Sequence, residues 1–224
     1  MSFAKKIAID LGTVNCAYSS LDEGKIYREP TVVAVSLDDS KVMAVGEKAK
    51  EMVGRTPNGI KAIRPIRDGV VGDFRVAEAM FKYFLSRSLG RINFFKPEII
   101  VSVPTGLSSI ERSAIFDIAL SAGAKKAYLF PEPLASAIGA GVPVGEPSGS
   151  MVINVGGGTT EVAVISLGGI IASKTIKLAG VKFDDALIGY VKDARGLIIG
   201  SQTAEEIKIK IGCALPGKDY TDEK

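Results

Sequence analysis

The sequence predicts an α/β fold organised around two glycine turns, each of which lies between two apolar strands. One turn lies within residues 150–165, where Gly-Gly-Gly-Thr-Thr at 156–160 separates the strands. The other lies within residues 7–18, which have the form strand, Gly-Thr turn, strand. Between the two hairpins, strands and helices alternate along the chain, a pattern that indicates parallel strands. An internal repeat of this kind says more about architecture than a single motif does.

The two glycine turns are the candidate ligand site. Glycine permits positive φ and a close approach of the backbone to a ligand, and exposed N–H groups in such a turn can hold an anion. Asp10 aligns with Asn154 and Gly12 with Gly156, so the turns look like copies of one motif. A single glycine turn is equally typical of an ordinary hairpin. Two facing copies favour a clamp on a polyphosphate.

The composition excludes several classes of protein. The chain has 224 residues, 46% of them apolar, which suffices for one large domain or two small ones. A net charge of +3 from scattered lysines and arginines argues against a nucleic-acid binder, and the absence of histidine excludes histidine catalysis and histidine-bound metals. Cys16 and Cys213 predict free thiols in a reducing cytoplasm. With no apolar run of membrane-spanning length and no signal peptide, we expect a soluble cytosolic protein.

The first half reads as a series of short elements. Residues 26–46 predict a hairpin and residues 47–52 a short helix, whereas residues 55–72 predict loop and turn because of their prolines and glycines. Asp73 is a good N-cap for an amphipathic helix, which Gly90 ends.

Strand and helix then alternate through the middle of the chain. Residues 99–103 predict a buried strand, and Ser108 and Glu111 form a capping box that begins the next helix. Residues 127–130 predict another strand, which leads into a helix over 134–139. The alternation predicts a parallel pairing here.

The second half begins after a segment rich in proline and glycine, residues 142–150, which we expect to be a boundary and hinge. A hairpin turn at 168–169 and a helix that ends near Gly196 follow. In residues 203–211 the local rules conflict. A Thr-x-x-Glu capping box favours a helix, while alternating isoleucines favour a strand.

Four motifs resemble the MreB family of bacterial actins. They are Asp-Leu-Gly-Thr-x-Asn at 10–15, Ala-Ile-Arg-Pro-Ile-Arg-Asp-Gly-Val at 62–70, Glu-Pro-Leu-Ala-Ser-Ala-Ile-Gly at 132–139, and Gly-Gly-Gly-Thr-Thr-Glu-Val-Ala-Val-Ile-Ser-Leu-Gly at 156–168. The resemblance runs over essentially the whole chain. It implies the actin-like ATPase fold, which is ribonuclease H-like, and it decides for a helix over 203–211. The implied subdomains are IA at 1–30 and 76–145, IB at 31–75, a partial IIA at 146–180 and a partial IIB at 181–224.

The resemblance also implies ATP and Mg²⁺ as cofactors. Asp10 and Asn154 would hold the metal through water, since Mg²⁺ keeps much of its water shell; Asp10 could otherwise be a simple turn carboxylate. Glu205 and Lys208 would contact the ribose and base, or form a solvated ion pair. The implied nucleotide-binding residues are Gly12, Thr13, Val14, Asn15, Gly156, Gly157, Gly158, Thr159, Glu205, Glu206 and Lys208.

Two residues carry the predicted hydrolysis, Glu132 and Thr159. The resemblance implies that Glu132 positions the water that attacks the γ-phosphate. The structural alternative is that Glu132 only complements the positive end of a helix dipole. The chain departs from the family pattern at Pro131, where a second glutamate is usual, and at Asn154, where aspartate is usual. Asparagine carries no charge and is not basic at neutral pH, so we expect binding to survive better than hydrolysis.

A turn-like segment with Phe94 and Phe95 between Arg91 and Lys96 is the predicted membrane contact. The alternative is that one phenylalanine packs inward and the other is partly exposed. The resemblance favours membrane contact and implies self-assembly into filaments at the inner face of the cytoplasmic membrane, where the protein helps to set cell shape. The implied partners are further copies of the chain, the membrane, and proteins of cell-wall synthesis and elongation, with no nucleic acid.

Two other functions stay open. The sequence stops at Lys224, well before an MreB does, so we expect a fragment, a shortened paralogue or a chain completed by another, with an exposed edge on the IIA sheet. Together with Asn154, this favours a non-hydrolysing structural or regulatory subunit. A small-molecule kinase of the same fold is the enzyme alternative, but the sequence shows neither a sugar-binding insert nor a catalytic aspartate after the first half.

Overall fold

The computed structural model describes residues 4–21, 24–56, 58–89 and 95–215. The chain divides into two compact units, Met1–Lys177 and Leu178–Lys224. The expected subdivision into IA, IB, IIA and IIB, with its boundary in 142–150, stays a prediction. No helix within the described ranges is long and apolar enough to cross a membrane.

Strands and helices alternate singly only over residues 74–139 in the described part of the first unit. Its helices are α1 (Glu47–Lys50), α2 (Phe74–Leu89), α3 (Ser109–Ser121) and α4 (Glu132–Gly139). Its strands are β1 (Lys6–Leu11), β2 (Asn15–Ser20), β3 (Ile26–Pro30), β4 (Val33–Ser36), β5 (Val42–Val45), β6 (Ile60–Ile63), β7 (Ile66–Arg67), β8 (Val70–Val71), β9 (Glu98–Val103), β10 (Lys126–Pro131), β11 (Ser150–Val155), β12 (Thr160–Ser166) and β13 (Gly169–Ile176).

The main sheet has the strand order β10-β9-β1-β2-β3. The hairpin β1–β2 and its neighbour β3 are antiparallel, while β9 runs parallel to both β1 and β10. The parallel pairing predicted from the strand–helix alternation is therefore confirmed. The predicted capping box is confirmed as well, because Ser108 and Glu111 bond to each other's backbone at the start of α3.

One face of the main sheet packs against α2, whose apolar side forms the centre of the core. Asp73 caps this helix by accepting a hydrogen bond from the Val76 N–H at 3.1 Å. Phe81 and Phe84 are completely buried, and the Tyr18 ring of β2 stacks on Phe84 with 5.3 Å between centroids. Helix α2 has 16 residues, and its apolar face packs against the sheet that contains the strands of the first turn.

A small sheet of order β5-β4-β6 forms the next layer, with a separate core around Val32, Ala34 and Ala49. The prediction of loop and turn over 55–72 was wrong, since β6, β7 and β8 lie there. Strand β6 pairs antiparallel with β4, and β7 pairs with β8. Pairing with a distant strand outweighed the local proline and glycine signals.

The second glycine turn joins two strands of an antiparallel sheet with the order β11-β12-β13. Inward residues Ala163 and Ile165 are buried against Leu134 and Ala137 of α4. The other face of β11 exposes Met151, Ile153 and Val155. The hairpin predicted at 168–169 is confirmed, and β11 and β13 are the edges of this sheet among the described strands.

The second unit contains α5 (Gly180–Arg195) and α6 (Ser201–Ile211). Gly196 ends α5 in the left-handed conformation with φ of 64°, which is typical of a glycine C-cap. The helix predicted over 203–211 is confirmed, but its capping box is wrong. The helix begins at Ser201 after Gly200, which has no side chain to accept a bond, so Thr203 lies inside the first turn.

Candidate functional site

The two glycine turns touch each other directly. A Cβ added to Gly157 would lie 2.9 Å from the Val14 Cβ, and one added to Gly158 would lie 2.8 Å from the Thr13 Cβ. Both approaches are closer than real Cβ atoms tolerate, so only glycine fits at these two positions. We call residues 12–15 the first turn and residues 156–160 the second turn.

A cleft of about 860 Å³ opens beside the two turns, and its size is in the range of small-molecule sites. Its walls include the predicted Asp10, Glu132 and Asn154 together with both turns. The remaining wall is mostly apolar and comes from the sheet and from α4, through Ala8, Ile100, Phe130, Ala135 and Ile138. A cleft with polar groups at one end and an apolar wall suits a ligand with a charged end and a flat apolar end.

Asp10 is held by a neighbour that the sequence reasoning missed. The Ser102 hydroxyl of β9 donates to the Asp10 Oδ1 at 2.6 Å, and the two residues are register partners in the sheet. A signal was present, because Ser102 is a polar residue close to the end of a buried parallel strand. Ligands bind beyond the carboxyl ends of such strands.

Glu132 and Asn154 lie together. The Asn154 side-chain amide donates to Glu132 Oε1 at 2.8 Å. Burial raises the pKa of Glu132 to about 7, with further contributions from the charges of Asp10 and Glu161, while the Asn154 bond lowers it. A carboxyl group that titrates near neutral pH is suited to proton transfer. Glu132 is also the first residue of α4, so its position fits the helix-start alternative too.

Near Glu132 lies another carboxylate, Glu161, to which the sequence analysis assigned no role. It is completely buried, and its Oε1 accepts hydrogen bonds from the Thr105 N–H and hydroxyl, both at 2.8 Å, and from the Thr175 hydroxyl at 2.7 Å. A charged residue at an inward position of an alternating strand was the signal available in the sequence.

Comparison with known proteins identifies the family. The family model described as MreB/Mbl protein matches residues 4–223. The chain belongs to the MreB/Mbl family. It is 47% identical over 215 residues to the cell shape-determining protein Mbl of Bacillus cereus, which covers 96% of this chain and 65% of the relative. It is 46% identical over 226 residues to MreB of Escherichia coli, with 98% and 65% covered. The chain thus spans about two thirds of the length of these relatives.

Solved structures agree with the family. MreB5 of Spiroplasma citri bound to AMPPNP superposes with a TM-score of 0.87 at 33% identity, covering 94% of this chain and 63% of that one. The same protein bound to ADP gives 0.89 at 32% identity, with 99% and 66% covered. A MamK double helical filament gives 0.77 at 20% identity over 92% and 64% of the chains, a likeness of fold alone. The predicted actin-like fold is confirmed.

The donor groups in this MreB/Mbl cleft fit a water-mediated Mg²⁺. No group of three or more acidic, cysteine or histidine ligands occurs within the described ranges. Mg²⁺ needs few protein ligands, because it keeps several waters and binds phosphate oxygens. The Asp10 carboxylate and the Asn154 amide oxygen could order those waters, and both residues line the cleft.

The predicted nucleotide-binding residues outside the two turns lie in the second unit of this chain. Glu205, Glu206 and Lys208 are in α6 of the second unit, whereas the two turns belong to the first unit. The Lys208 ammonium lies 2.7 Å from Asp184 Oδ1 and donates to the Gly180 carbonyl at 3.0 Å. The contacts of Lys208 within its unit are therefore those of a link between α5 and α6.

Lys208→Met separates the two roles of this lysine. We expect it to lower the free energy of unfolding by about 2 kcal/mol, less than for a fully buried pair, because the side chain of Lys208 is 26% exposed. Denaturant titration measures that loss. If Lys208 also contacts the nucleotide, calorimetry will show weaker ATP binding in the folded variant; an unchanged affinity with a loss of stability removes Lys208 from the site.

Proposed function

We propose that this MreB/Mbl chain binds Mg-ATP between its two turns and assembles with further copies into filaments. The observation that carries the proposal is the contact of the two turns beside a cleft that also holds Asp10, Glu132 and Asn154. The structures of MreB5 bound to AMPPNP and to ADP support the choice of an adenine nucleotide.

Each group has a physical role in this proposal. The backbone N–H groups of the first turn (Gly12, Thr13, Val14 and Asn15) and those of Gly157, Gly158 and Thr159 in the second turn donate to the phosphate oxygens. The Gly156 N–H closes the second turn by donating to the Thr159 carbonyl at 2.9 Å. Bound Mg²⁺ would neutralise phosphate charge, with Asp10 and Asn154 ordering its waters. Glu132 orients the attacking water, and Thr159 lies in the turn that would face the γ-phosphate. Glu205, Glu206 and Lys208 stay the predicted contacts of the ribose and base.

We expect ATP hydrolysis by this chain to be slow. The Asn154 amide occupies Glu132 Oε1 and brings no charge to the metal side of the cleft. We therefore infer a slow conversion of ATP to ADP and phosphate, coupled to assembly. The same observation favours the second candidate function, a structural or regulatory subunit that assembles without turnover.

The names of the relatives support a role in cell shape, which we propose for this chain together with filament formation. The Bacillus and Escherichia proteins are named cell shape-determining proteins, and the MamK structure is of a filament. We extend both properties to this chain, together with a cytoplasmic location at the inner membrane face. Proteins of cell-wall synthesis and elongation would then be its partners.

Membrane contact has one testable residue in the described structure. Phe94 lies outside the described residues, whereas Phe95 is 55% exposed. Replacing both phenylalanines by serine should lower co-sedimentation with anionic liposomes several-fold and change the melting temperature less than the loss of a core residue would, because more than half of Phe95 is exposed. A large loss of stability with unchanged co-sedimentation would place both residues in the core.

Sedimentation with and without ATP, together with phosphate release, tests the proposed function. A pellet that needs ATP and is accompanied by slow phosphate release supports the ATPase filament. A pellet without release supports the structural subunit. ADP formation without a pellet and without phosphate release, seen only with a small-molecule acceptor, contradicts both and supports the kinase alternative, because the phosphoryl group then passes to the acceptor and not to water.

A further inference from the structure

The Glu161 carboxylate is unusual because a charged side chain occupies a completely buried position of a three-stranded sheet. It occupies an inward position of β12 beside Ala163 and Ile165, which are buried and apolar. A buried carboxylate is costly even when it is hydrogen-bonded, and an apolar side chain of similar volume is often at least as stabilising. Its presence therefore indicates a task other than packing.

The hydrogen bonds of Glu161 are unevenly shared between its oxygens. Oε1 accepts all three bonds from Thr105 and Thr175, whereas Oε2 is buried and has no hydrogen-bond partner within the described part of the chain. We call these three residues the Glu161 cluster. A network with an unsatisfied carboxylate oxygen is not the most stable arrangement that this position allows.

The cluster joins three separate segments next to the turns. Glu161 directly follows the second turn and lies opposite Asn154 in the register of β11 and β12. Thr105 comes from the segment after β9, and Thr175 from β13, where it is the register partner of Glu161. The Thr105 and Thr175 hydroxyls are also within 3.2 Å of each other.

The segment that holds Thr105 also reaches the first turn. A Cβ at Gly69 would lie 2.9 Å from Pro104, the residue before Thr105, and 3.2 Å from Thr159 in the second turn. The Gly69 N–H donates to the Thr13 hydroxyl of the first turn at 3.1 Å. Continuous contacts thus run from Glu161 through Thr105 and Pro104 to Gly69 and the first turn.

We propose that Glu161 is a positioning residue that holds the second turn against the first turn, at the separation needed to bind one phosphate chain from both sides. The inference rests on the proposed function as far as the phosphate chain is concerned. The positioning itself is a property of the nucleotide-free protein. Glu161 acts through the backbone of the turns and does not itself line the cleft.

The test compares Glu161→Gln and Thr175→Val with the wild type. Glutamine keeps an acceptor oxygen but loses the charge that strengthens the bonds from both threonines. We expect its Kd for ATP to rise about tenfold. Simple electrostatics predicts the opposite sign, because the loss of a negative charge near a polyphosphate should tighten binding. In a double-mutant cycle, Thr175→Val should have a smaller effect in the Glu161→Gln background than in the wild type.

Amide hydrogen exchange of the nucleotide-free protein reports the opening of the turns, and a control variant separates that opening from general destabilisation. Glu161→Gln should speed exchange in residues 156–160 and 12–15. The control is Asp73→Ala, which removes the cap of α2 in the same unit; it should lower the melting temperature without changing exchange in the turns or the affinity for ATP.

The outcomes are distinct. Weaker ATP binding with faster exchange of the turns in Glu161→Gln supports the inference. Unchanged or tighter binding with unchanged exchange overturns it, as does an equal effect of Asp73→Ala on the turns. If the wild type binds no ATP, the proposed function fails, and exchange alone decides: faster exchange of the turns upholds the positioning role, and unchanged exchange overturns it.

Discussion

Gly157→Val is expected to weaken ATP binding by at least about 100-fold, or about 2.7 kcal/mol. A valine Cβ would meet the Val14 side chain, whose Cβ lies 2.9 Å from the built position. Because Val14 belongs to the first turn, the added side chain must push the turns apart. It would also block the approach of a phosphate to the backbone. Calorimetric titration with Mg-ATP measures the loss.

A matched control separates this effect from a general loss of stability. Gly145 has no atom within 4 Å of a built Cβ and lies in the segment between α4 and β11. Gly145→Val should therefore bind ATP like the wild type. Equal affinities in the wild type and in a folded Gly157→Val variant would contradict the assignment of the second turn.

Asn154→Asp is expected to raise phosphate release at saturating Mg-ATP by about 100-fold, which corresponds to about 2.7 kcal/mol in the barrier. The carboxylate would add a negative charge on the metal side of the cleft, opposite Asp10. Asn154→Asp also removes a hydrogen bond. The Asn154 amide donates to Glu132 Oε1 at 2.8 Å, and an aspartate carboxylate cannot donate. Two adjacent carboxylates repel each other and share a proton, which further raises the pKa of Glu132. A protonated Glu132 cannot accept a proton from the attacking water.

The gain from Asn154→Asp should therefore depend on Mg²⁺, whose charge offsets the repulsion. With EDTA in place of Mg²⁺ we expect no gain. Glu132→Gln is the companion variant, since it keeps an acceptor for Asn154 and removes the ionisable group; it should lower release to background. An unchanged rate in Glu132→Gln would leave Glu132 as a helix-start residue, and no gain in Asn154→Asp with Mg²⁺ would contradict the charge argument.

The parts of the site that the sequence predicted are local. Asp10, the first turn and the second turn each follow a short apolar strand, so a stretch of adjacent residues carries the whole signal. Their mutual contact could be predicted because the motif occurs twice. The same locality explains the success of the Ser108 capping box.

The parts that were missed depend on residues distant in sequence. Ser102 reaches Asp10 only because β9 pairs with β1 in one particular register, and Thr105 reaches Glu161 from the segment that follows β9. Strand β6 forms because β4 accepts it as a partner, against the local turn signals. At Thr203 the local rule was wrong, since α6 begins earlier, at Ser201.

The most direct test of the central claim, that the two turns bind the phosphates of a nucleotide, is a calorimetric comparison of ATP and AMP on the wild-type chain with Mg²⁺. If backbone N–H groups from both turns hold the distal phosphates, ATP should bind at least about tenfold more tightly than AMP, a difference of about 1.4 kcal/mol. Equal affinities for ATP and AMP, or no binding of either, would contradict the claim.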